Sequence, residues 1–490
     1  MVVTLAPTWL ARGCFAVNGV NLVTAANLAA RSYSITETAT QGSSSLTAPF
    51  TAATLGTGTG PVAFSSFMTA DFTSVMNYRP GGLSGQQIIS PYGWGYMSSS
   101  WMDHSGQSND YWNNSTLTTA FGKINPALCL LKAPGSPNYL WNADLSVNGA
   151  HFAGLMNNFY KTDPLGVAGV MLLPYWDGTS SPTGRLSNND YGTMLANMAS
   201  YMLNFTMGNG KKFPLIGMCG QDEPGDNEAT CAAYYNAAIP KLKAVNSKLM
   251  MFGPILSSPG MKDFGTLVPG LEGYGCNCFS NLHGNANSMD ALNMSAGHVT
   301  DWNTATGANL KYSGFTSGGS DWDCVGGQLK SYPEAFLHCK ALFNGLNTAK
   351  QQYIGCFWGG LDNCGLMDYN GVIYPIGYWY AQGIRKLTGP RWQVPTNSSG
   401  MLTLAVTPGP GRCSLLVYNV GNGSKSGPVA LSHWPVNTTG VATATVWQMT
   451  TAQNGPGKDG TSSTVSVGGT TPGVTASMNF PDPSITIISI

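Results

Sequence analysis

Residues 213–255 read FPLIGMCGQDEPGDNEATCAAYYNAAIPKLKAVNSKLMMFGPI. The stretch 213–219 is almost unbroken apolar sequence, the pattern of a strand covered on both faces, as strands of parallel sheets are. It stops at the polar break Gly220-Gln221-Asp222-Glu223-Pro224. Residues 228–245 then carry a helix, and 248–255 (KLMMFGPI) a second buried strand. A strand, a turn, a helix and a further apolar strand form the repeating unit of a parallel sheet with crossover helices.

Working outward, the same alternation recurs. Ala127-Leu128-Cys129-Leu130-Leu131-Lys132 predicts a strand closed by Pro134-Gly135. Residues 149–161 predict a helix, with Phe152, Leu155, Met156, Phe159 and Tyr160 at spacings of three and four. Strands follow at 166–176, 276–282 (ending at His283), 310–316 and 353–358, with helices at 191–203, 332–350 and 376–387. Pro333 fits the first turn of its helix. No Gly-x-Gly-x-x-Gly turn follows an early strand, so the series predicts a (β/α)8 TIM barrel and not an open nucleotide-binding sheet.

Past residue 392 the helical period ends. Short β-rich runs at 402–406, 414–418, 429–432, 443–449, 464–467 and 484–490 alternate with Gly, Pro, Asn and Ser turns, which predicts an antiparallel β-sandwich. The expected organisation is an N-terminal segment 1–75 of loops and short strands, open to a contribution to the sandwich, then the barrel over 76–391 and the sandwich over 392–490.

Composition narrows the partners. Only 9% of the 490 residues are charged, and 23 Lys+Arg balance 23 Asp+Glu, so no basic field exists to hold nucleic acid or an anionic membrane. Thirteen Trp and 21 Tyr are available to stack on neutral rings, which suits a sugar polymer. No apolar run is long enough to span a membrane, and the start of the chain lacks the pattern of a signal peptide. Eleven cysteines, among them the close pairs Cys219/Cys231, Cys276/Cys278, Cys324/Cys339 and Cys356/Cys364, point to disulfides and an oxidising, extracellular compartment. The alternative is that most are small buried apolar residues. Scattered His and the absence of Cys-x-x-Cys give no reason to expect a metal or other cofactor.

In a barrel, reacting groups sit just past the C-terminal ends of the strands. The candidates there are Glu223 after the fourth strand, Tyr175-Trp176-Asp177 after the third, His283 after the sixth, and Trp358 with Asp362 after the last. Glu transfers protons, Trp and Tyr form stacking floors, and His and Asp hold hydroxyls. Each has a plainer reading. Glu223 would serve equally as an anion at a helix start, His283 as a structural histidine, Trp176 and Trp358 as core, and Asp177 and Asp362 as solvated loop carboxylates.

These residues resemble the glycoside hydrolases of the clan with two catalytic glutamates on a (β/α)8 barrel, nearest the family 39-like branch. That clan ends its fourth strand in Asn-Glu-Pro, and 216–224 (IGMCGQDEP) is similar with Asp222 in place of Asn. The run from Asn125-Pro126 through Lys132-Ala133-Pro134-Gly135 to Tyr139-Leu140-Trp141 resembles the clan's Arg-x-Pro-Gly-Gly strand and its Tyr-x-Trp. Ser280-Asn281-Leu282-His283 resembles its Ser-x-His-x-Tyr strand, with Asn285 where Tyr would stand. The ending Pro481-Asp482-Pro483-Ser484-Ile485-Thr486 is similar to the clan's appended sandwich. The resemblance implies a glycosidase acting on an extracellular polysaccharide or oligosaccharide, with Glu223 as acid/base and Asp222, Lys132 and Trp141 at the substrate.

The seventh strand departs from the pattern. The resemblance implies a Glu nucleophile there, and Phe315-Thr316-Ser317-Gly318-Gly319 places Ser317 in that position. No base for a serine nucleophile is evident nearby. Three readings stay open: Asp321 or Asp323 takes the role, Ser317 replaces a native Glu, or the protein is an inactive carbohydrate-binding or structural surface protein on the same fold.

Overall fold

The computed structural model describes residues 2–4, 15–18, 21–24, 31–41, 44–54, 68–77, 85–99, 114–132, 140–149, 153, 156–174, 180–181, 184–221, 224–256, 263–276, 279–280, 312–315, 319–320, 330–348, 352–357, 365–394, 401–409, 411–421, 423–432, 442–467 and 473–490. Among the described residues, no helix is long and apolar enough to cross a membrane.

Eight parallel strands close into a barrel. In chain order they are Gly95–Ser99, Leu128–Lys132, Gly169–Leu173, Leu215–Cys219, Met250–Leu256, Gly273–Cys276, Tyr312–Phe315 and Gln352–Phe357, and the eighth pairs with the first through Cys356 and Gly95. The third strand is buried at every residue, and the fourth at all but the half-buried Ile216, which is why both read as near-continuous apolar runs. Two boundaries differ from expectation. The barrel opens with GYMSS, too short in apolar residues to stand out. The sixth strand lies at Gly273–Cys276, upstream of the expected 276–282. Phe279–Ser280 leaves the barrel to pair with Gly319–Ser320, so two separate pairings divide one apolar run.

The helices start where side chains take up free backbone donors. Asn227 accepts the Thr230 N–H at 2.9 Å and opens the helix Glu228–Val245, with Glu228 in its first turn. Ser187 accepts the Asp190 N–H at 3.1 Å and opens Asn188–Asn204, and its own hydroxyl donates to the Asp190 carboxylate at 2.7 Å. The helix Tyr332–Thr348 packs on Pro375–Lys386 through a buried His338. The Trp379 indole N–H donates to His338 Nδ1 at 3.0 Å. Nδ1 is therefore unprotonated, and Nε2–H faces the Tyr380 hydroxyl at 2.9 Å. Burial lowers the His338 pKa from 6.5 to about 3.

The second unit is a β-sandwich. Its strands run in the order Thr461–Val467, Ala442–Thr450, Ser484–Ser489, Arg412–Asn419, Leu402–Gly409, Gly389–Gln393, Met68–Val75, Lys425–Ser432 and Gly473–Phe480. Residues from both ends of this path, Ala444 and Val446 at one and Met68, Val429 and Phe480 at the other, share one core, so the sheet is folded over into two layers. The sandwich unit comprises 1–76, 391–447 and 462–490; the barrel unit comprises 77–390 and 448–461. Within the barrel unit, Tyr332 N–H donates to the Gln453 carbonyl at 3.1 Å and Gly457 N–H to the Ile373 carbonyl at 2.8 Å.

The cysteines correct an expectation. Cys129, Cys219, Cys231, Cys339 and Cys413 are buried and form no disulfide, so neither Cys219/Cys231 nor Cys324/Cys339 is a bridge. They are packing residues of the barrel and sandwich interiors, the role small apolar cysteines commonly take. Burial raises the thiols of Cys129 and Cys231 to about 12, which leaves them protonated and unreactive.

Candidate functional site

The fourth strand ends at Cys219, and the next peptide is held from outside the barrel by two helices. Tyr191, on the helix before the strand, donates its hydroxyl to the Gly220 carbonyl at 2.8 Å. Tyr235, on the helix after it, accepts the Gln221 N–H at 3.0 Å. Gly220 N–H donates to the Phe252 carbonyl of the fifth strand at 2.9 Å. Burial, followed by the neighbouring Tyr191, Cys219 and Cys231, raises the Tyr235 hydroxyl well above the ordinary phenol range, so it stays neutral. The fit leaves no room at Gly220, where a Cβ would lie 2.5 Å from the Tyr235 ring and 2.8 Å from the Tyr191 hydroxyl. Gly253, at φ +104°, admits the same Tyr235 hydroxyl, which a Cβ there would meet at 2.7 Å.

A second set of contacts fixes the chain after Pro224. The Arg185 guanidinium pairs with the Asp226 carboxylate, donates from Nε to the Tyr234 hydroxyl at 2.9 Å and lies 5.5 Å from the centre of that ring. Tyr234 donates its own O–H to the Leu186 carbonyl at 3.0 Å. The hydrogen bond to Tyr234, then the one to Asp226, raises the Arg185 pKa further, so it stays a cation. Glu228 accepts the Asp263 N–H at 2.7 Å. Asp222 and Glu223, the sequence candidates, lie outside the described residues. The stretch that carries them thus runs between two anchored ends.

Most of the other candidates also lie outside the described residues: Tyr175, Trp176, Asp177, His283, Ser317, Asp321, Trp358 and Asp362. In chain order Tyr175-Trp176-Asp177 follow Leu173, Ser317 follows Phe315 by two residues, and Trp358 follows Phe357, each of which ends a barrel strand. Lys132 is the last residue of the second strand, in register with Ser99 and Leu173. Trp141 is 1% exposed and bridges to Val147. Among the described residues, no three His, Cys, Asp or Glu side chains come together as metal ligands would.

The chain holds only five glutamates, at positions 37, 223, 228, 272 and 334. Glu37 is in the N-terminal strand Arg31–Gln41. Glu272 precedes the sixth strand, at the opposite rim from the strand ends, where it pairs with Lys243 and accepts the Met251 N–H at 2.8 Å. Glu228 and Glu334 belong to first turns of helices, and Glu334 is 1% exposed. Glu223 alone stands in a connection between the end of a barrel strand and the following helix. Among the five glutamates only Glu223 lies in a strand-to-helix connection, so a second carboxylate from such a connection would be an aspartate.

Sequence reading singled out Glu223 but not Tyr191, Tyr235, Arg185 or Gln221. The tyrosines occupy ordinary core positions of amphipathic helices, and only their hydroxyl contacts distinguish them.

Neither a protein-family profile nor a curated protein matches the sequence. Solved structures do match. A glycoside hydrolase family 30 subfamily 8 xylanase from Clostridium acetobutylicum is 16% identical, with a TM-score of 0.56 over 86% of this chain and 98% of the xylanase. A glucosidase from Croceicoccus marinus is 13% identical, with a TM-score of 0.58 over 86% and 98%. A GH39 enzyme from Xanthomonas axonopodis pv. citri is 11% identical, with a TM-score of 0.54 over 86% and 96%. At these identities the likeness is one of fold, a (β/α)8 barrel with a β-sandwich, and at that level the resemblance read from the sequence holds.

Proposed function

We propose, from a fold shared with glycosidases, that this protein hydrolyses glycosidic bonds in an extracellular or cell-surface polysaccharide or oligosaccharide, with Glu223 as the proton donor. What supports the reading is that the described residues on either side of position 223 in the sequence are anchored, the Gly220–Gln221 peptide by Tyr191 and Tyr235 and Asp226 by Arg185. Proton donation to a leaving oxygen needs a carboxyl held to within a fraction of an ångström, and rigid supports on both sides favour that.

The partner group follows from the glutamate count. Glu223 protonates the leaving oxygen, and Asp321 or Asp323 attacks the anomeric carbon or activates water. A carboxyl separation of about 5–5.5 Å gives retention, and about 6.5–9.5 Å gives inversion. Tyr175, Trp176 and Trp358 supply apolar faces for sugar rings, while Asp177, Asp222, His283, Asp362 and Lys132 meet hydroxyls; Trp141, expected from the sequence at the substrate, is instead packed in the interior. Low charge and abundant aromatics fit a neutral glycan, and a polymer too large to cross a membrane places the work outside the cell.

Ser317 favours one other reading, a carbohydrate-binding or structural surface protein that keeps the barrel without catalysis. Glu223→Gln separates the two. The hydrolase loses reducing-end release from a panel of plant and bacterial polysaccharides by roughly 10²–10⁴-fold and keeps its binding. A protein that binds a glycan and releases no reducing ends with Glu223 intact is the binder.

A further inference from the structure

Asparagine followed by glycine sets a main-chain nitrogen beside a side-chain amide carbon, with no Cβ to obstruct their approach. Five such pairs lie among the described residues: Asn148-Gly149, Asn209-Gly210, Asn344-Gly345, Asn370-Gly371 and Asn454-Gly455. Four are restrained. Gly210 donates its N–H to the Met207 carbonyl at 2.9 Å, and Gly371 donates to the Asp368 carbonyl at 3.1 Å. Asn209 also accepts the Lys211 N–H at 3.1 Å. Asn344-Gly345 lies inside the helix Tyr332–Thr348, where main-chain N–H groups are taken up by the helical ladder. Asn148 donates its N–H to the Leu140 carbonyl at 2.8 Å, and Gly149 packs under Tyr201, whose hydroxyl donates to its carbonyl at 3.4 Å.

Asn454-Gly455 differs in each respect. Asn454 is exposed, and among the described residues neither its carboxamide nor the Gly455 N–H has a hydrogen-bond partner. A Cβ on Gly455 would meet nothing within 4 Å, so the space around the Gly455 nitrogen is open. An N–H engaged by a carbonyl gives up that bond before its nitrogen can react, whereas one bonded only to water does not. The neighbouring residues are fixed. Gln453 donates its N–H to the Thr450 carbonyl at 3.2 Å and accepts the Tyr332 N–H, and Gly457 is bonded to Ile373. The pair is thus displayed to solvent on a held frame.

We propose that Asn454 is a modification site of the folded protein, losing ammonia without an enzyme to become a mixture of aspartate and isoaspartate. The Gly455 nitrogen bonds to Asn454 Cγ, the Cγ–Nδ2 bond breaks, and the Gly455 proton leaves with Nδ2 as ammonia. Water then adds to one of the two carbonyl carbons of the resulting succinimide, the bond from that carbon to nitrogen breaks, and a proton returns to the nitrogen. Opening at Cγ gives aspartate. Opening at the main-chain carbonyl gives isoaspartate, which places one more methylene in the main chain between the anchors at Gln453 and Gly457. The net change exchanges an amide for a carboxyl, with water consumed and no electron transferred. Each event adds one negative charge to a chain whose formal net charge is zero. The proposal is independent of the hydrolase reading.

The test incubates the folded full chain in mildly alkaline buffer and follows each Asn-Gly pair by peptide mapping and mass spectrometry, where deamidation shows as a gain of about 1 Da. Asn454 is expected to react at least about tenfold faster than Asn148, Asn209, Asn344 or Asn370, because the fold restrains those four. In urea, where every pair is freed from the fold, the five rates are expected to converge to within about threefold. Asn454→Gln keeps a carboxamide but would have to close a larger ring, and is expected to retain its amide over the same period. Reaction at any of the other four pairs as fast as at Asn454 in the folded chain overturns the proposal. So does loss of the side-chain amide at the parent rate in Asn454→Gln, which would mean direct hydrolysis without attack by Gly455.

Discussion

Tyr191 and Tyr235 hold the two polar groups of a single peptide unit, one donating to the Gly220 carbonyl at 2.8 Å and the other accepting the Gln221 N–H at 3.0 Å. They come from the helices on either side of the fourth barrel strand. The pair couples helix packing to the exit direction of the chain that leads to Glu223.

Tyr235→Phe should leave the Gln221 N–H buried without an acceptor and destabilise the protein by about 1–3 kcal/mol. Tyr191→Phe should act similarly on the Gly220 carbonyl. Because both act on one peptide, the double variant should depart from additivity by about 0.5 kcal/mol or more. Urea denaturation of the two single variants and the double variant checks this, and strict additivity would show that the clamp is not a unit.

Gly220→Ala should be worse than an ordinary overpacking change, since its Cβ would fall 2.5 Å from Tyr235 and 2.8 Å from Tyr191. A loss of about 3 kcal/mol or more is expected. Thermal or urea unfolding measures it, and parent-like stability would mean the two helices can move apart at this point.

Stability should fall in acid in part through His338. Folded, the ring is neutral down to about 3; unfolded, it takes up a proton below 6.5. The folded pKa is depressed, so the contribution is complete above 6.5 and is lost as the pH falls toward about 3. The slope is about 1.4 kcal/mol per pH unit, a few kcal/mol in all. His338→Gln should flatten the curve of unfolding free energy against pH between about 4 and 6. An unchanged slope would assign acid sensitivity to other groups.

Ser317→Glu should restore a carboxylate after the seventh strand. Reducing-end release is expected to rise at least about tenfold, with retention of anomeric configuration followed by NMR. Absence of any gain would remove Ser317 from the reacting position and leave an aspartate as the partner of Glu223.

Alkylation of the native protein followed by peptide mapping should find Cys129, Cys219, Cys231, Cys339 and Cys413 unmodified, with labelling only after unfolding. Rapid labelling of any of the five under native conditions would contradict the burial described.

The sequence revealed the barrel where strands are buried on both faces, as in Gly169–Leu173 and Leu215–Cys219, because apolar runs of that kind have few alternatives. It did not reveal Gly95–Ser99, whose residues are mostly small or polar, or Gly473–Phe480, where turn-like residues interrupt the alternation. It misread two of the four close cysteine pairs, Cys219/Cys231 and Cys324/Cys339, because close spacing along the chain does not imply facing side chains. The proton-donor candidate was visible as a local motif. Its supports were not, since Tyr191 and Gln221 are separated by a strand and a helix, and nothing in either residue alone announces the other.

The chain passes from sandwich to barrel and back more than once, and residues 448–461 belong to the barrel although they lie deep in the C-terminal third. A recombination event that cut the gene near residue 391 would deliver a barrel without the Gln453 carbonyl that Tyr332 uses and without the Gly457 donor that Ile373 uses. The residues of the two units are thus interleaved along the chain, and no single cut separates one from the other.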